Sequence, residues 1–129
     1  MQFSTILVIL ASLATAQASA VLTPRRCFDP DSVNWYYGYD QALKAVDKIC
    51  TAAGVSGYFG PGQIKTHCED GPPIGSDKSP TTLSFAVQWT GTENPAGPLK
   101  DDDCRHDLKL EITGCKAGGQ STHSGWYYK

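Results

Sequence analysis

Charge is missing from the first twenty residues, and nowhere later does a second long apolar run appear. A membrane-spanning helix needs about 20 apolar residues, so no later segment qualifies. No Asn-x-Ser/Thr sequon occurs, because Asn34 and Asn94 are followed by Trp-Tyr and Pro-Ala. N-linked sugar therefore has no acceptor. Basic residues are not in excess: 11 Lys and Arg stand against 13 Asp and Glu, a formal charge of −2. Neither nucleic acid nor an anionic membrane surface has an electrostatic claim on such a chain. The sequence also lacks a Gly-rich phosphate loop, a GxSxG elbow, an HExxH helix and any CxxC pair, which removes the chemistries those motifs carry.

What the first twenty residues do have is an export pattern. Ile6-Leu7-Val8-Ile9-Leu10 is the apolar heart, and small residues extend it. Ala16-Gln17-Ala18 and Ala18-Ser19-Ala20 both fit small-x-small cleavage, and cleavage after Ala20 is preferred. Residues 1–20 are thus expected to be a signal peptide, and the product to be secreted and extracellular. Arg25-Arg26 stands directly before Cys27. It fits either a kexin-type site, which would make 21–26 a short propeptide cut after Arg26, or a surface basic pair.

The remainder, 27–129, is the size of one domain. Ala42, Leu43, Val46, Ile49, Cys50 and Ala53 recur at helical spacing, with Lys44, Asp47 and Lys48 on the other face. A helix is expected over 41–53, capped by Asp40 and stopped by Gly54. Residues 63–68 read as a strand, and 71–80 as a Gly/Pro-rich loop. Leu83, Phe85, Val87 and Trp89 alternate with Ser84, Ala86, Gln88 and Thr90, a strand covered on one face. Asp101-Asp102-Asp103 suits a helix start, and Cys104, Leu108, Ile112 and Cys115 share a helical face. Leu108, Leu110 and Ile112 would also alternate in a strand. Gly118-Gly119 reads as a turn, and Gly125-Trp126-Tyr127-Tyr128 as the last strand. With a strand-like Cys27 region, the order is strand, helix, strand, strand, helix, strand. That order predicts an α+β, disulfide-stabilised two-layer sandwich: an antiparallel sheet with two helices on one face, in a split β-α-β, ferredoxin-like arrangement.

Five cysteines, Cys27, Cys50, Cys68, Cys104 and Cys115, are spaced too widely for a zinc ribbon. In an oxidising compartment they read as staples with one left over. In the expected topology the end of the first helix lies near the start of the second. This favours Cys50–Cys104, with Cys27 joined to Cys68 or Cys115. The odd cysteine is either free or joins two chains as a disulfide-linked dimer.

His67, His106 and His123 are scattered along the chain and predict no metal site. Asp101, Asp102, Asp103 and Asp107 lack the ligand spacing of a calcium loop, and helix capping accounts for them. No cofactor is expected. The aromatic clusters are more informative: Trp35, Tyr36, Tyr37 and Tyr39 near one end, Trp126 and Tyr128 near the other. Such rings either cover a small core or form a binding surface for protein or sugar.

Certain of these residues together form a pattern. Asp40-x-Ala42 opens a helix ending in Ile49-Cys50. Phe85-x-Val87 follows, and then Cys104-x3-Leu108 leads to Gly114-Cys115-x2-Gly118-Gly119. Gly125-Trp126-x-Tyr128 closes the set. Over most of 27–128 the chain resembles small secreted fungal proteins of the killer-toxin type, and the similar C-terminal tails of some fungal chitinases. Members of that group often continue to a further cysteine, whereas this chain stops at Lys129; that departure would account for the odd count. The resemblance implies a two-layer α/β sandwich and a toxin or host-directed effector, not an enzyme. It assigns no binding residue. The expectation is therefore a secreted effector or toxin-like protein that acts by binding an extracellular host or competitor protein. The alternative is a carbohydrate-binding module for chitin or a related cell-wall glycan.

Overall fold

The computed structural model describes residues 23–29, 35, 38–74 and 76–129. The expected signal segment, Ala20, Tyr36 and Tyr37 lie outside the described residues. Seven elements follow in order: β1 Thr23–Cys27, α1 Tyr39–Ile49, β2 Ile64–Ile74, β3 Ser79–Trp89, α2 Asp101–Thr113, β4 Gly119–His123 and β5 Trp126–Tyr128. The architecture is α+β, with one five-stranded antiparallel sheet ordered β1-β4-β5-β3-β2. A split β-α-β arrangement with four strands would hold its first strand inside the sheet. Here β5 takes the place beside β3, and β1 lies on the edge beyond β4. Among the described residues no helix is long and apolar enough to cross a membrane.

α1 buries Ala42, Ala45, Val46 and Ile49, the i, i+3, i+4, i+7 stripe of a helix lying on a core. It starts two residues earlier than its pattern suggests. Gly38, not Asp40, is the N-cap, and no side chain of the described residues caps the helix. Asp40 sits in the first turn instead, where a carboxylate favours the helix dipole. The helix also ends before Gly54, with Cys50 as its C-cap. The cause is local: Thr51 and Val55 both turn their N–H groups back to the Ile49 carbonyl, at 2.8 and 2.9 Å. A side chain at Gly54 would collide with that carbonyl.

α2 settles the ambiguity over residues 108–112 in favour of a helix. Cys104, Leu108, Glu111 and Ile112 are buried along one side. Its partner on the sheet is the alternating face of β3, Leu83, Phe85 and Val87, together with Tyr128. Each large apolar side chain in this cluster contributes about 1.5–3 kcal/mol on burial.

Two stretches depart from the expected pattern. β2 runs through Gly71-Pro72-Pro73 to Ile74, although these residues read as a loop. It is an edge strand, which tolerates proline because one side of its backbone needs no partner. The register slips between Gly71 and Ile74, and the Thr81 hydroxyl holds the Pro72 carbonyl at 2.7 Å. β4 is the unexpected strand. Gly119 opens it instead of completing a turn, and its polar sequence pairs with β5 across Ser124-Gly125. Both turn residues have positive φ, 50° and 83°, the signature of a tight type I′ hairpin.

Cys50 is bonded to Cys104, the pair suggested by the helix ends, and Cys27 is bonded to Cys115. Cys68 is unpaired and exposed. The first bond joins the end of α1 to the start of α2. Around it, the buried Ser56 donates its hydroxyl to Asp101 at 2.5 Å, and the Lys65 ammonium donates to the Ser56 carbonyl at 2.5 Å. Lys65 also stands 4.2 Å over the Phe59 ring, and burial holds its pKa below the usual lysine value.

Closing a loop of 54 residues removes unfolded-state entropy equivalent to roughly 4 kcal/mol in the chain-entropy account. Replacing both Cys50 and Cys104 with Ala should therefore cost about 2–5 kcal/mol in denaturant unfolding. Cys68→Ser should stay within about 0.5 kcal/mol. Equal losses from the two changes would contradict this picture of the scaffold.

Candidate functional site

At one end of the sheet, four parts of the chain meet around a cleft. α2 supplies Asp103, His106 and Asp107. The β4–β5 hairpin supplies His123 and Ser124, Trp89 ends β3, and the 95–99 loop forms the far wall. Its volume is about 470 Å³. The floor is aromatic: Trp126 stacks tilted on Trp89 at 5.0 Å and meets Phe59 edge-on at 4.9 Å. Trp89 is held by its own indole N–H, which donates to the Glu93 carbonyl at 2.6 Å.

One carboxylate organises the polar side. Asp107 Oδ1 lies 3.0 Å from His106 Nδ1, and Oδ2 lies 3.8 Å from His123 Nδ1. Tyr128, whose ring is buried in the core, interacts with the same carboxylate. Burial first, and then the nearby Asp107 charge, push the Tyr128 pKa far above the ordinary tyrosine value. Tyr128 is therefore a neutral donor throughout the physiological range. Both imidazoles are exposed, at 71% and 58%, while Asp107 is 15% exposed. The arrangement presents donors and acceptors beside aromatic carbon, which suits hydroxyls, amides and the flat faces of a ligand. Among the described residues no group of three or more His, Cys, Asp or Glu is placed to hold a metal ion.

Behind this cleft lies a second polar contact. Glu111 is buried on α2, and its Oε1 takes Arg25 Nε at 3.2 Å and the Ser121 hydroxyl at 2.5 Å. Oε2 has no hydrogen-bond partner among the described residues. Arg25 and Arg26 thus belong to a paired strand. Arg25 reaches inward to Glu111, while Arg26 is exposed opposite Gln120.

The aromatic residues picked out in the sequence divide between two places. Trp126 lies half-buried in the cleft, and Tyr128 is its buried rear wall. Trp35 and Tyr39 line a separate shallow groove beside Cys115 and Lys116. There Tyr39 is 39% exposed, and Trp35 is half-buried. Four residues of the cleft escaped sequence reasoning: Trp89, His106, Asp107 and His123. His106 and His123 looked scattered, yet the hairpin carries His123 back to α2. The only sequence signal was the His106-Asp107 dipeptide on a predicted helix.

No protein-family model matches the chain, and comparison with curated proteins and with solved structures finds no match.

Among the described residues, Arg25 is the only cation paired with the buried Glu111, whose second oxygen lacks a partner. Arg25→Ala should cost about 1–3 kcal/mol, Arg26→Ala less than about 0.5 kcal/mol. Adding Glu111→Gln to Arg25→Ala should restore part of the loss. Thermal melts of the three variants check this, and equal melts for Arg25→Ala and Arg26→Ala would contradict it.

Proposed function

We propose that this chain is a secreted, killer-toxin-like effector that acts on a host or competitor by binding an extracellular protein, without catalysis. The observation that carries the reading is the cleft: half-exposed tryptophans beside His106, Asp107 and His123, on a scaffold pinned by two disulfides. Tryptophan in a concave, partly dry setting is the residue most enriched at binding hot spots. A rigid scaffold lowers the ordering cost of binding. Two disulfides also suit an oxidising compartment outside the cell. On this reading the sheet is a rearranged ferredoxin-like one. β3, α2 and β4 form a split β-α-β unit around β5, which holds the place of a first strand. Where two chains join covalently, the exposed Cys68 thiol is the group that joins them.

A glycan target is the second reading, and the same cleft favours it. Indole faces flanked by a carboxylate and imidazoles are also what sugar rings require. The two readings separate on insoluble chitin. The protein should stay in the supernatant with chitin powder, and should bind protein-bearing target cells more than protease-stripped ones. His106→Ala with His123→Ala, both exposed, should weaken cell binding about tenfold, a loss of about 1.4 kcal/mol, with little change in melting temperature. Retention on chitin that this double variant abolishes would overturn the protein reading.

A further inference from the structure

Among the described residues, one strand position of the sheet is unfilled. β5 pairs with β3 through Val87–Tyr128, and Ala86 exchanges both main-chain hydrogen bonds with Lys129, at 2.9 and 3.0 Å. On its other side β5 pairs with β4 through Ser121–Tyr128. Carried forward in the same register, the β5 line would pass opposite Phe85, Ser84 and Leu83 on β3, and opposite Gly119, Gly118 and Ala117 on the other wall. A cleft of about 240 Å³ occupies that line. It is walled by residues 81–85 on one side and by Ala117 and Gly118 on the other, with Lys129 at one end. Phe28, Trp35, Ile112 and Pro72 form its apolar floor.

The main chain is ready for a partner there. Ala86 turns its N–H and C=O toward β5. The strand repeat of two turns those of Ser84 and Thr82 the same way, away from β2 and into the cleft. Among the described residues, the pairing on this side of β3 ends at the Ala86–Lys129 exchange, so no main-chain partner reaches them. A second polar group also lacks a partner among the described residues: the buried indole N–H of Trp35, in the floor.

We propose that this slot receives an extended segment of a partner protein as an added strand, running antiparallel to β3 in line with β5. Main-chain hydrogen bonds to Ser84 and Thr82 supply affinity, and the floor selects side chains, as in other strand-addition sites. The first and third residues, opposite Phe85 and Leu83, face the helices and should be apolar. The second and fourth, opposite Ser84 and Thr82, face outward and should be polar. The slot is walled on both sides, so the edge strand of a second folded copy cannot enter without leaving its own sheet. A free segment has both edges open and fits. This deepens the protein-binding reading on which it rests and gives it a surface separate from the tryptophan cleft.

The probe is acetyl-Val-Thr-Val-Thr-Val-amide, read by amide hydrogen exchange on the full secreted chain. Free protein should exchange the Ser84 and Thr82 amides quickly, and saturating peptide should slow both by at least about tenfold. Leu83 and Phe85, bonded to β2, should not change, and the Trp35 indole resonance should shift. A peptide N-methylated at its second residue should have no effect. Ser84→Pro removes a donor that faces the slot and leaves the β2 ladder intact, so it should fold and fail to bind. No slowing with peptide overturns the proposal. So does protection already present in dilute free protein, which places this chain's own segment in the slot, or protection that grows with protein concentration alone, which places a second copy there. Peptide binding by a protein that is also retained on chitin would support the slot and remove the protein-target reading of the cleft.

Discussion

The Cys50–Cys104 bond sets the geometry on which the other contacts depend. It ties the end of α1 to the start of α2, with Cα atoms 5.7 Å apart, in a region where both cysteines are fully buried. The buried Ser56, hydrogen-bonded to Asp101, holds the following loop to the same point. α2 is then fixed in rotation. Leu108 and Ile112 face the sheet, Glu111 faces Arg25 and Ser121, and Asp107 emerges beside the β4–β5 hairpin. A rotation of α2 by one residue, about 100°, would turn Asp107 away from His123 and bury a different row.

The second bond, Cys27–Cys115, works at the opposite end of α2. It ties β1 to the segment just after the helix, so the edge strand is held covalently as well as by its pairing with β4. Between these two anchors the domain needs only a modest core. This is a common solution for a small chain that cannot bury enough apolar surface to be stable by packing alone. The same anchors leave the two ends of the sheet to differ. One end holds the tryptophan and histidine cleft, and the other holds the strand-wide slot beside Ser84.

Legibility in the sequence followed periodicity. α1, α2 and β3 could be read because each buries one regular stripe, and Cys50–Cys104 followed from where the two helices end. Boundaries were less legible. Asp40 suggested a cap that the backbone of Gly38 provides, and Gly54 suggested a stop that the Ile49 carbonyl imposes earlier. β4 was hidden because Gln120, Ser121 and Thr122 are polar, and only pairing on both sides makes them a strand. Pro72 and Pro73 argued for a loop until an edge position removed their penalty. The site was the least legible part. Asp107 meets His123 only through the hairpin register, and an open strand position exists only once a sheet order is known. Neither property belongs to any local run of residues.

The connectivity of the cysteines tests the account most directly, by mass mapping of peptides from the unreduced, alkylated protein. The account predicts Cys27–Cys115 and Cys50–Cys104 as the only bonds within the chain. Cys68 should be recovered either as an alkylated thiol or joined to Cys68 of a second chain. A bond from Cys68 to any other cysteine of the same chain would contradict it.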